Sequence, residues 1–171
     1  MLTLDRQLEH WIVGHRIASL NWLFEALSKA GTFGLIWVLI GFGIALVQRR
    51  PAPVLLVAAA VLLGDLESTV GKLLIPRVRP HYHPLLKVPT SHSFPSGHSS
   101  TSFAAATVIA AISPRLRIPA FVLAAGIAFS RVYNGVHWPL DVLAGSALGV
   151  LIALLLLAGA RRVPRRGLQA G

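Results

Sequence analysis

Three short stretches of an otherwise apolar sequence hold the groups that could do chemistry: Lys72 with Arg79 and Pro80, the run Pro95-Ser96-Gly97-His98, and Ser130-Arg131 followed by His137 and Asp141. Lys72, Arg79 and Arg131 supply three cationic donors, and a guanidinium fork matches two phosphate oxygens at once. Ser96 occupies a helix N-cap position and Gly97 permits close backbone approach, so the first amides of the following helix would face an anion with the helix dipole behind them. Together these groups form a phosphate cradle. Pro139 suits the first position of a helix, which puts Trp138 near the cap, Asp141 in the first turn and His137 just outside. A carboxylate so placed can hold one imidazole nitrogen and leave the other free. His137 is then a candidate nucleophile, and His98, at the same depth, could protonate the departing oxygen.

Taken singly, each residue has a plainer reading. An interfacial His is an ordinary headgroup-level group, Lys72 or Arg131 a snorkelling side chain, Asp141 a residue that favours a helix start. Two His, one Asp and three cations at one depth are a different matter, because ionisable groups beside hydrocarbon mark functional sites.

The elements that must bring these stretches together are membrane helices. Of 171 residues, 54% are hydrophobic and 13% charged, with a mean hydropathy of +0.67, which lies far outside the soluble range. Apolar runs occupy about 32–48, 53–75, 98–113, 117–133 and 139–160, each near the ~20 residues a helix needs to cross the hydrocarbon. The expected fold is an all-α, polytopic membrane helix bundle of about five transmembrane helices. Residues 1–30 interleave Leu4, Leu8, Trp11 and Ile12 with Asp5, Arg6, Glu9 and His10, and are expected to lie on the membrane as an amphipathic interfacial segment rather than as a sixth, tilted span. Residues 1–171 are read as a single membrane-embedded domain, with 162–171 a basic cytoplasmic tail. The N-terminus lacks the pattern of a cleavable signal peptide, so insertion is expected from the internal spans.

Five spans put Arg49, Arg50, Arg115, Arg117, Arg161, Arg162, Arg165 and Arg166 on one side with no acidic residue among those connections. The positive-inside tendency makes that side cytoplasmic, with the C-terminus, and the three polar stretches extracytoplasmic. The net charge of +10 is therefore topological. It is clustered between apolar runs rather than spread over an exposed aromatic face, so a nucleic-acid partner is excluded. The sequence has no cysteine, hence no thiol nucleophile or disulfide framework. Asp65 and Glu67, inside the second run, read as a buried polar pair or as partners for a nearby cation.

In type and spacing, Lys72 to Pro80, Pro95 to His98 and Ser130 to Asp141 resemble the three-part signature of the type 2 phosphatidic acid phosphatase superfamily, and the surrounding helix pattern is similar to that of its small bacterial integral-membrane lipid phosphatases. The resemblance implies a metal-independent phosphatase without a cofactor. In it His137 attacks phosphorus to form a phosphohistidine, Asp141 orients it, and His98 protonates the leaving group and later activates water. Lys72, Arg79, Ser96, Gly97 and Arg131 hold the phosphate oxygens. The substrate would be a membrane lipid phosphate or diphosphate met at the bilayer surface, foremost undecaprenyl diphosphate, with phosphatidylglycerol phosphate, phosphatidate and lipid A phosphate as alternatives. No obligatory protein partner is called for. A non-catalytic permease would share the composition but would not need His98, His137 and Asp141 together.

Overall fold

The computed structural model describes residues 2–162, and all regular structure among them is helical: α1 (Leu2–Gly14), α2 (Asn21–Ala30), α3 (Leu35–Gln48), α4 (Ala52–Leu74), α5 (Gly97–Ile112), α6 (Arg117–Tyr133) and α7 (Pro139–Arg162). The five apolar runs become α3 to α7 with ends close to those read from sequence. The expected basic tail, with Arg165 and Arg166, lies beyond Arg162 in 163–171, outside the described residues. By length and hydropathy, α4, α7 and the stretch Pro114–Tyr133, which includes α6, can each cross a membrane. A fourth crossing arises if the bent pair Ala18–Ala30 and Thr32–Gln48 counts as one span.

The hub of the bundle is α5, which at 16 residues is shorter than α4, α6 and α7. Ala104, Ala105, Val108 and Ile109 are fully buried and join Trp37, Val57, Ala60, Ala124, Ile127 and Ala153 in one core. A helix wrapped by others need not match the hydrocarbon thickness by itself. Its small residues let neighbours approach closely: on α7, Gly145 faces the Ser96 backbone and Gly149 the Ser100 backbone, so that a Cβ at either would collide with main chain. This is the small-xxx-small packing expected between membrane helices. The hydroxyls of α5 are all engaged. Ser100 donates to Glu67 Oε2 at 2.7 Å, Thr101 to the Gly97 carbonyl at 2.9 Å and Ser99 to Ser96 Oγ at 3.0 Å, while Ser102 accepts from Trp37 Nε1 at 3.1 Å.

At one end of the bundle Gln48 Nε2, closing α3, donates to the Ile112 carbonyl, closing α5. At the other end, the C-terminal turns of α4 and α6 meet the N-terminal turns of α5 and α7 around one cavity. That is the alternation of ends that consecutive antiparallel helices require. The N-terminal segment is anchored to the bundle by its second half. There α2 packs against α6 and turns 57° into α3. The turn is made by Gly31, whose missing Cβ leaves room for Ile127 and His98, and by Gly34 at φ +66. In α1, Asp5, Glu9 and Val13 face the protein, whereas Leu4, Leu8 and Trp11 are exposed. Its acids point inward and its apolar stripe outward, the orientation a helix adopts when its free face meets lipid.

Candidate active site

The cavity enclosed at that end has a volume of about 450 Å³ and is bordered by Lys72, Arg79, Gly97, His98, Arg131 and His137, together with Ser68, Ser91 and Asp65. Lys72 comes from the last turn of α4, Gly97 and His98 from the first turn of α5, and Arg131 from the last turn of α6. Arg79 and Ser91 are carried by the long connection between α4 and α5, and His137 by the turn between α6 and α7. Residues 65 positions apart in sequence are thus joined without any of them leaving a helix end or an adjoining loop.

Arg79 is 6% exposed, and each of the five N–H groups of its guanidinium has a partner. Nε donates to the Ser91 carbonyl at 2.8 Å, and Nη2 to Ser91 Oγ at 3.2 Å and the His92 carbonyl at 3.0 Å. Nη1 donates to the Val136 carbonyl at 2.8 Å and to His137 Nε2 at 2.8 Å. A guanidinium can only donate, so Nε2 is the unprotonated nitrogen and the ring proton sits on Nδ1. There it faces Asp141 Oδ2 at 3.4 Å. The same oxygen accepts from the Trp138 amide at 3.0 Å, so Asp141 also closes the start of α7. Burial holds the His137 pKa down at about 3; Arg131 and Arg79 act in the same direction, and the hydrogen bond to Asp141 opposes them. Burial likewise lowers Arg79, against the negative charge of Asp141.

On the far wall, Arg131 is 7% exposed and donates through Nη1 to Ser28 Oγ, while its buried Nε has no partner. A buried cationic N–H without a protein partner favours an anion's oxygen, since an unpaired buried donor is costly. Lys72 Nζ donates to Ser68 Oγ at 3.1 Å, and a Cβ on Gly97 would lie 2.8 Å from that oxygen and 3.5 Å from Nζ, so a side chain at position 97 would press on the hydroxyl that holds Lys72. His98 Nε2 lies 3.2 Å from the Ser28 carbonyl. A carbonyl only accepts, which makes Nε2 the protonated nitrogen in this arrangement and leaves Nδ1 as its second ring nitrogen.

Ser96 is placed less directly than the sequence suggests. It is the N-cap residue of α5, with extended backbone, but its hydroxyl makes no capping hydrogen bond and is fully buried against Ser99. Its amide donates to the Asp141 carbonyl at 3.0 Å, which ties the start of α5 to the start of α7. Gly97 and His98, rather than Ser96, border the cavity. Asp141 is behind His137 and fully buried. Asp65 and Glu67 are no pair: Asp65 is exposed on the cavity side, while Glu67 takes the Ser100 hydroxyl on another face of α4. Among the described residues, no three His, Asp or Glu side chains converge as a metal site would require.

Ser28, Ser91, Arg77 and Asp5 also belong to this end of the bundle and were not singled out from sequence. Serines in loops and short helices carry no spacing signal. Asp5 and Glu9 did carry one, being a helical turn apart on a helix whose other face is apolar, a pattern that places acids against protein.

The family model of the PAP2 superfamily matches residues 53–164. An undecaprenyl-diphosphatase of Sulfolobus acidocaldarius is 36% identical over 82% of this chain and 71% of its own length. A decaprenylphosphoryl-5-phosphoribose phosphatase of Mycobacterium tuberculosis is 32% identical over 83% of this chain and 82% of its own. The crystal structure of a transmembrane PAP2-type phosphatidylglycerolphosphate phosphatase from Bacillus subtilis superposes with a TM-score of 0.80 at 29% identity, covering 97% of this chain and 89% of that one. An all-helical bundle with membrane-length helices, a cationic cavity at one end and this set of relatives lead to one conclusion: the chain belongs to the PAP2 superfamily and is an integral-membrane lipid phosphatase, a hydrolase of phosphoesters.

Proposed function

We propose that the chain removes the terminal phosphate of a polyprenyl diphosphate at the extracytoplasmic face of the membrane, through a phosphohistidine on His137. The observation that carries the reading is the pairing around that ring. Asp141 takes Nδ1–H, and Nε2 opens onto a cavity bearing Lys72, Arg79 and Arg131.

On substrate entry, Arg79 Nη1 turns from Nε2 to a phosphate oxygen, which frees the lone pair. The unpartnered Arg131 Nε, Lys72 and the first amides of α5 at Gly97 take the remaining oxygens, while Ser96 sets the start of that helix. His98 enters the step as an imidazolium, having taken a second proton on Nδ1 as the phosphate anion binds beside it. Nε2 of His137 attacks phosphorus, the bond to the bridging oxygen breaks, and His98 gives that oxygen its Nδ1 proton while its Nε2–H stays on the Ser28 carbonyl. The lipid monophosphate leaves. Water then attacks the phosphoimidazolium, His98 takes the proton back, the P–N bond breaks, and phosphate departs with the Nε2 lone pair restored. Asp141 stabilises the cationic ring in both steps. The negative charge on phosphorus is met by three side-chain cations, so no step calls for a metal.

The lipid requirement is supported by the other side of the cavity, where Phe33, Val61, Leu62 and Pro89 provide apolar walls next to the bent α2–α3 segment. Among the relatives, two are named for polyprenyl phosphates, which favours that chain type; the Bacillus subtilis structure is named for a glycerolipid phosphate, which keeps phosphatidylglycerol phosphate as the second reading. The test is phosphate release by the purified protein from a panel of lipid mono- and diphosphates with excess chelator present. Polyprenyl diphosphate should be turned over fastest, chelator should have no effect, and His137→Ala should remain membrane-inserted yet inactive. Turnover by His137→Ala, or loss of wild-type activity with chelator, would sink the mechanism. A reporter placed after Arg162 should read as cytoplasmic if the site faces outward.

A further inference from the structure

We infer that Asp5, on the N-terminal helix α1, is a positioning residue for the nucleophile, acting through Arg77 on the carboxylate of Asp141. The inference rests on His137 being the nucleophile. Residues 53–164, which carry the family match, do not include Asp5.

Asp5 is 3% exposed although it sits on a helix whose outer side is open. Its two oxygens are divided. Oδ1 accepts the Leu140 amide at 2.9 Å, in the first turn of α7, and Oδ2 pairs with Arg77 Nη2. Arg77 Nη1 in turn donates to Asp141 Oδ1 at 2.5 Å, and Asp141 Oδ2 holds His137. The result is a line of alternating charge, carboxylate, guanidinium, carboxylate, imidazole, running from α1 to the reacting nitrogen. Arg77 is steadied further by lying over the Trp138 ring, 5.7 Å from its centroid.

Two consequences follow from splitting the fork of Arg77 between two carboxylates. Geometrically, Arg77 cannot swing both Nη groups onto Asp141 and draw it away from His137. Electrostatically, Asp5 offsets part of the Arg77 charge, so Asp141 keeps the negative charge that a phosphoimidazolium needs beside it. Both contacts of Asp5 act on the same turn of α7, the one that bears Asp141. Simple anchoring of α1 could use any of its inward residues; Val13, two turns further on, is 5% exposed and has no polar side-chain atom with which to join the line.

The test compares steady-state kinetics of Asp5→Asn, Arg77→Lys and Val13→Ser in the full-length protein in lipid. Neither Asp5 nor Arg77 borders the catalytic cavity. Losing one charge-assisted hydrogen bond on the support of the nucleophile should therefore lower kcat about tenfold or more while KM stays within about threefold. Arg77→Lys, which keeps the charge but cannot bridge, should behave the same way, and Asp5→Asn added to Arg77→Gln should cause no further loss. Val13→Ser, which loosens α1 without touching the line, should leave kcat within about threefold. The inference is overturned if Asp5→Asn retains full kcat, if its loss appears in KM, if Val13→Ser loses as much, or if the Asp5 and Arg77 losses multiply. Should Asp5→Asn fail to insert, Arg77→Lys decides alone. Activity surviving in His137→Ala overturns the nucleophile assignment itself, whereas a dead His137→Ala beside an unimpaired Asp5→Asn overturns only the role of α1.

Discussion

Replacing Asp141 by Asn removes one charge, leaves the shape nearly unchanged, and tests the tautomer derived from Arg79. The carboxylate accepts three donors: His137 Nδ1–H, the Trp138 amide and Arg77 Nη1. An amide can keep only one of its two ends as an acceptor. If the NH₂ group turns to Arg77, two donors face each other at a 2.5 Å contact. If it turns to His137 and Trp138, it donates to Nδ1, the ring proton moves to Nε2, and Nε2–H then confronts Arg79 Nη1, which lies 2.8 Å away. In neither orientation is a lone pair left on Nε2 with support behind it. Loss of one hydrogen bond to a charged group is about 1.5–3 kcal/mol, which at 1.4 kcal/mol per tenfold gives roughly 10- to 100-fold. The wrong tautomer adds to this, and the same change in a Ser-His-Asp triad lowers kcat by about 10⁴. The expected fall for Asp141→Asn is therefore about 10³ to 10⁴ in kcat. Phosphate release, together with acid-labile phosphoenzyme trapped by rapid quench, measures it. A variant that keeps more than about a tenth of wild-type kcat, the upper end of the bond-loss range alone, would refute the assignment of Nε2 as the nucleophilic atom.

Three further outcomes are expected. With His137 held at about pKa 3 by burial, the nucleophile is already neutral at every pH above that value, so kcat/KM should show no acid limb attributable to it between about pH 4 and 7; an acid limb in that range abolished by His137 substitution would contradict this. Glu9 is fully buried with neither carboxylate oxygen hydrogen-bonded, and burial, opposed by Arg16 and reinforced by Asp5, raises its pKa to about 7. Because the folded state holds this proton more tightly than the unfolded state, stability is lost as pH rises from about 4.5 through 7, by up to about 3 kcal/mol. Glu9→Gln should thus melt with wild type in acid and above it beyond pH 7, and parallel melting curves at all pH would disprove it. Gly149→Ala sets a methyl against the Ser100 main chain and should lower Tm, by an overpacking cost of about 1–3 kcal/mol, and activity together, because α5 carries Gly97 and His98 into the cavity; a stable variant with impaired turnover alone would show that helix contact to be dispensable for folding.

Much of this protein is written locally. Hydropathy and length marked α3 to α7 because a helix that meets lipid must be apolar along its whole length. Pro139 and Ser96 marked the starts of α7 and α5, and the parity of the spans brought Lys72, Arg79, His98, Arg131, His137 and Asp141 to one end. What sequence could not disclose is which of these groups touch. The Ser28–Arg131 pair joins residues 103 apart, Asp5–Arg77 72 apart and Asp5–Leu140 135 apart; such contacts leave no periodic trace, since periodicity reports only which side of an element faces inward. The docking of α2, the burial of the Ser96 hydroxyl and the separation of Asp65 from Glu67 arose in the same way, from neighbouring helices. Residue type and helix length thus determined the chemistry available and the membrane depth at which it gathers. Tertiary packing alone decided that Arg79 takes His137 Nε2, that Arg131 keeps a free Nε, and that α1 reaches the nucleophile, because each depends on the distance between side chains from different helices.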